Sequence, residues 1–100
     1  MQLEKSAVAG TLESSDIQVL IEPGDAGIQL SLSSSVLNQY GHQIQKTVLE
    51  TLEKLEVQGA RVTLVDKGAL DCTIRARVEC AVFRACNIQE GYPWGGVIAP

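Results

Sequence analysis

The stretch Ala69-Leu70-Asp71-Cys72-Thr73-Ile74-Arg75-Ala76-Arg77-Val78-Glu79-Cys80-Ala81-Val82-Phe83-Arg84-Ala85-Cys86 decides the fold, because its pattern reads two ways. Cys72, Ile74, Ala76 and Val78 alternate as a strand does, whereas Leu70, Ile74, Val78, Ala81 and Ala85 fall on one face of a helix. The stretch is longer than a usual strand, and its four alanines and three arginines favour helix over sheet. Arg75, Arg77 and Arg84 then read either as the wet face of that helix or as partners for phosphate oxygens, and spacing does not choose between the two.

Upstream, residues 6–11 are short and rich in small side chains, and Ile17-Gln18-Val19-Leu20-Ile21 is β-favouring, so both read as strands. Between them, Leu12-Glu13-Ser14-Ser15-Asp16 carries side chains that bond nearby backbone N–H groups, which predicts a hairpin with serines at its tip. Pro23-Gly24-Asp25-Ala26-Gly27 is a breaker cluster. After it, Ile28, Leu30 and Leu32 alternate with Gln29, Ser31 and Ser33, a third strand with one apolar face.

Ser34 or Ser35 can then cap a helix in which Leu37, Tyr40, Ile44, Val48, Leu52 and Leu55 recur at helical steps. Its outer face carries Gln43, Lys46, Glu50, Glu53 and Lys54, with Glu50 and Lys54 at pairing distance and Gly59 suited to the exit. Val62 and Leu64 alternate with Arg61 and Thr63 in a fourth strand, closed by Asp66-Lys67-Gly68. The expected order is β-β-β-α-β-α: an α+β fold in which a small, mostly antiparallel sheet is covered on one face by two helices. It forms one domain over residues 1–86, followed over 87–100 by a glycine- and proline-containing tail expected to be flexible.

Composition narrows the function. At 100 residues the chain suffices for one core, which favours a carrier or binding module over an enzyme with its own cleft. A net charge of −4 argues against nucleic acid as a partner. No apolar run approaches the roughly 20 residues that span a bilayer, and the N-terminus lacks a secretory h-region, so no membrane association and a cytoplasmic location are expected.

Cys72, Cys80 and Cys86 match neither a redox pair nor a zinc knuckle and read as reduced thiols, at least two of them packed, with Cys86 the most exposed. His42 is the only histidine and reads as solvated; without a Gly-x-Ser-x-Gly elbow it makes no triad, and scattered carboxylates offer no metal set. Phosphate-binding glycine loops are absent too. No catalytic residue and no metal site is expected. On composition alone, Glu13-Ser14-Ser15-Asp16 is a turn that uses serines because turns do.

Ala9-Gly10-Thr11-Leu12-Glu13-Ser14-Ser15-Asp16 nevertheless resembles the N-terminal motif of the acyl carrier proteins, or gamma subunits, of bacterial citrate lyase. The likeness continues through Pro23, Gly27-Ile28-Gln29-Leu30, the long helix, Asp66-Lys67-Gly68-Ala69-Leu70 and Arg75-Ala76-Arg77-Val78, covering residues 1–86.

The resemblance implies a non-catalytic carrier in which Ser14 is joined by a phosphodiester to 2′-(5″-phosphoribosyl)-3′-dephospho-coenzyme A, whose arm ends in a thiol. It implies as partners an alpha subunit that exchanges the carried acetyl group for citrate, forming citryl thioester and releasing acetate, and a beta subunit that cleaves the citryl thioester to oxaloacetate and the regenerated acetyl thioester. A holo-carrier synthase attaches the group. Ser15 stands beside Ser14, and only alignment with the family motif selects the first. Ordinary fatty-acid carriers differ, being helical bundles with Asp-Ser-Leu opening a helix, whereas here Asp16 follows the serines. Two further readings stand beside this one: the acyl carrier subunit of malonate decarboxylase, and an unmodified interaction module in which the serine turn is only a turn.

Overall fold

A computed structural model describes residues 3–24, 27–34 and 37–86. Its elements are β1 (Ala7–Ala9), β2 (Ile17–Pro23), β3 (Gly27–Ser34), α1 (Leu37–Lys54), β4 (Gly59–Asp66) and α2 (Asp71–Ala85), the expected order. Ser35, the side chains of Leu37 and Tyr40, and the tail over 87–100 lie outside the described residues.

The sheet order is β1-β2-β4-β3. β1 and β2 pair antiparallel, with Ala9 opposite Val19, so residues 10–16 form the loop of a hairpin as expected. β4 then inserts between β2 and β3, antiparallel to the first and parallel to the second, with Ile17 opposite Asp66 and Leu30 opposite Val62. The parallel pair needs a long crossover, which α1 supplies.

Period-2 alternation puts Ile17, Val19 and Ile21 of β2 and Ala60, Val62 and Leu64 of β4 on one buried face. α2 covers β1 and β2, α1 covers β3, and the two helices pack on each other. Ile44, Val48 and Leu52 of α1, Leu55 just past its end, and Ile74, Val78, Ala81 and Ala85 of α2 close the core as their spacing predicts. Burying each large apolar side chain contributes about 1.5–3 kcal/mol.

Four local expectations are corrected. Leu70 leaves the helical stripe: it is the N-cap of α2 and 70% exposed, while Val82 and Phe83 are buried instead because α2 meets neighbours on more than one side. Glu50 pairs with Lys46 (3.9 Å), one turn back along α1, where Lys54 had been expected. Cys72 is the exposed cysteine, whereas Cys80 and Cys86 pack against the core, and burial pushes the Cys86 thiol pKa up. Ser34 belongs to β3, its hydroxyl donating to Asp66 Oδ2 (2.8 Å).

The exit of α1 also differs, since Gly59 opens β4 and the left-handed residue is Glu56, at φ 58°. Val57 N–H reaches Leu52 O (3.0 Å) and Glu56 N–H reaches Glu53 O (3.0 Å), the paired bonds of a Schellman motif. Glycine normally takes that position because a Cβ there is strained. Glu56→Gly is therefore expected to stabilise the protein by about 1 kcal/mol, raising Tm by about 5 °C in thermal denaturation. An unchanged or lower Tm would refute this.

Candidate functional site

The loop over residues 10–16 is built on one carboxylate. Asp16 Oδ2 accepts from Thr11 N–H (3.1 Å), Thr11 Oγ1 (2.6 Å) and Arg77 Nη2 (2.9 Å), while Oδ1 accepts from Ile17 N–H (2.8 Å) and Arg77 Nε (3.0 Å). Arg77, half-buried on α2, thus grips Asp16 with both arms of its guanidinium. Gly10 makes room for this. Its φ is +87°, and a Cβ there would lie 1.8 Å from the Ile17 carbonyl oxygen and 3.3 Å from Arg77 Cδ. Because the first of those contacts is backbone, no side chain fits at position 10 without displacing β2.

Above this base, Glu13–Asp16 is a four-residue turn closed by Asp16 N–H to Glu13 O (3.2 Å). Ser14 and Ser15 occupy its central positions, and Ser15 takes φ 65°, the left-handed value that a type II turn requires of its third residue. Ser15 N–H also donates to Lys67 O (2.8 Å), and Lys67 N–H to Asp16 O (2.9 Å), extending the β2–β4 pairing into the loops. Both serines are exposed, but Ser15 is anchored through its backbone and Ser14 forms the apex.

A second carboxylate organises the facing turn. Buried Asp66 accepts from Gly68 N–H (3.1 Å), Ala69 N–H (3.0 Å) and the Ser34 hydroxyl, tying the ends of β3 and β4 to the start of α2. The serine turn stands on this second knotted turn. Arg84 Nη1 donates to Val8 O (2.7 Å) and fastens α2 to the short edge strand, while Arg75 and His42 are exposed. Among the described residues, no group of three or more His, Cys, Asp or Glu could hold a metal ion, and no helix is long and apolar enough to cross a membrane.

This chain is 58% identical over 91 residues to a citrate lyase acyl carrier protein of Vibrio cholerae, an alignment covering 90% of this chain and 93% of that protein. The chain belongs to the citrate lyase acyl carrier family. Relatives of the same description from Streptococcus mutans (54% identical; 94% of this chain, 92% of that protein) and Oenococcus oeni (47%; 94% and 97%) agree. Residues 4–85 also match a family model described as ACP, malonate decarboxylase delta subunit (MdcD). Among solved structures, a chain of a Pseudomonas malonate decarboxylase hetero-tetramer in complex with malonate shares the fold, with a TM-score of 0.73 at 24% identity over 84% of this chain and 88% of that one. An acyl carrier role follows for this protein, and the reading as an unmodified interaction module gives way to it.

In this acyl carrier, sequence reasoning found the serine turn and missed its clamp. Arg77 reads as solvated or phosphate-binding because its partner lies 61 residues away, and neither residue's local pattern points to the other. Three of the five hydrogen bonds to Asp16 come from Thr11 and Ile17, close by in the chain, so nothing local marks the need for Arg77.

The clamp makes the loop acid-sensitive. The Arg77 hydrogen bonds, then that of Thr11, hold the Asp16 carboxyl well below the usual carboxylate range, outweighing burial, which acts the other way. With the folded pKa below the unfolded value of about 3.9, the stabilisation is complete above that value and is lost as pH falls through the folded one. The Tm gap between wild type and Asp16→Asn should therefore shrink as pH is lowered from about 5 to about 2. A gap that stays constant or widens would contradict the assignment.

Proposed function

We propose that this protein carries acyl groups for a citrate-cleaving lyase on a prosthetic group attached to the Ser14 hydroxyl. Near-full-length identity of 47–58% to citrate lyase carriers supports citrate over malonate as the substrate system. The observation that carries the site is the asymmetry of the turn: Ser14 is exposed at the apex, while Ser15 is strained and bonded to Lys67. A modifying enzyme must seat a serine hydroxyl without unfolding its host, and a protruding apex on a locked base permits that.

The group is a CoA-derived phosphoribosyl nucleotide joined by phosphodiester, and when attached it supplies a thiol that bears acyl groups as thioesters. Ser14 Oγ would hold it covalently, in keeping with the open surroundings of that residue. Thr11, Asp16 and Arg77 would keep the attachment point fixed while the arm moves. Tethering replaces diffusional capture at each active site by a high effective concentration. Partners are the alpha acyl transferase subunit, the beta lyase subunit and the holo-carrier synthase, and the setting is cytoplasmic.

Intact-mass measurement of the carrier made alongside its modifying enzyme tests this. The expected result is a mass above that of the sequence by the nucleotide group, with the increment on the peptide containing Ser14. An unmodified mass, or an increment on Ser15, would overturn it.

A further inference from the structure

Beside the turn of Asp66 to Leu70, an open groove of about 770 Å³ runs between α1 and the first turns of α2. Ile44, Ala69, Leu70, Cys72 and Ile74 give it mostly apolar walls, and Gln43 Nε2 donates to Asp71 Oδ2 across one side (3.3 Å). That volume is typical of a small-molecule site, and apolar walls with a few polar groups are the usual lining of one.

Leu70 stands at its rim. This residue is 70% exposed and occupies the N-cap of α2, where Ser, Thr, Asp or Asn would satisfy an orphan N–H; Leu70 makes no side-chain cap. Its apolar surface is thus placed where the fold gains little from it. The mouth of the groove and the base of the serine turn are one hydrogen-bonded unit, since Lys67 pairs with Ser15 and Asp16 through both its N–H and its carbonyl, immediately before Gly68 and Ala69.

We infer that this groove docks the thiol-ended arm of the group on Ser14, shielding its acyl thioester from water between visits to the partner enzymes. The inference rests on the reading of Ser14 as the attachment site. An arm of methylenes interrupted by amides matches the lining, with the apolar side chains covering the methylenes and Gln43 and Asp71 within the same walls for the amides. A concave space of this size suits such a chain better than the broad surface of a protein partner.

Cys72 reports occupancy, because its thiol is exposed and lines the groove. Iodoacetamide labelling of Cys72, followed peptide by peptide, compares unloaded carrier with carrier whose arm is acetyl-capped. The loaded form should label roughly fivefold more slowly, as an arm docked about four-fifths of the time would produce. Amide NMR shifts should change at Ile44 and from Ala69 to Ile74. Leu70→Ser, outside the core and able to cap α2, should narrow the labelling difference while Tm holds or rises.

Equal labelling rates in carrier shown by intact mass to be loaded on Ser14 would overturn the inference and leave the attachment site standing. So would protection that appears only when the partner subunits are added, which assigns the groove to them. No mass increment on Ser14 would remove the attachment reading itself and this inference with it.

Discussion

A lyase complex assembled with Ser14→Ala carrier is expected to lose citrate cleavage by a factor on the order of a thousand or more, because the acyl group no longer travels on a tether. The same substitution should leave the thermal unfolding of the isolated carrier nearly unchanged, since the side chain is exposed at the turn apex. The neighbouring position gives the control. Ser15→Gly relieves the left-handed φ of 65° and is expected to retain loading and activity while raising stability by about 1 kcal/mol. Citrate-cleavage assays with both variants separate the two serines. Activity surviving in Ser14→Ala, or lost in a folded Ser15→Gly, would transfer the role to Ser15.

The second large effect is on stability. Asp16→Ala leaves the Thr11 and Ile17 donors and the Arg77 guanidinium without their acceptor in a site where Asp16 is largely buried. Breaking such a pair from one side costs about 3–5 kcal/mol, and the partial exposure of Arg77 places the expectation near the lower end, a fall in Tm of roughly 15 °C. Arg77→Ala should also destabilise, through the carboxylate it leaves unpaired. The double variant should cost less than the two single losses combined, with a coupling of about 1–3 kcal/mol. Additive losses would show that the clamp is not a unit. The loading reaction should suffer in both single variants even below their melting temperatures, since the base that presents Ser14 is no longer held.

These two results probe different layers of the molecule. Ser14, as the proposed attachment residue, is singled out by resemblance to a family motif and by turn-forming neighbours, both of which can be read in the chain itself. The clamp exists only because residues 61 positions apart meet once α2 lies over β1 and β2.

By itself the sequence determined the element order, the apolar faces of β2, β3, β4 and α1, the serine turn and the family. The structural features follow from periods of 2 and 3.6 and from turn chemistry, which act over a few neighbouring residues, whereas the family follows from the likeness of residues 9–16 to a known motif. Tertiary structure decided the insertion of β4 between β2 and β3, the bidentate grip of Arg77 on Asp16 and the burial of Phe83. It also decided the left-handed Glu56 and the groove beneath Leu70. The physical reason is common to all of them: each depends on which distant surface a side chain meets, and local pattern sets only the direction in which that side chain leaves the backbone.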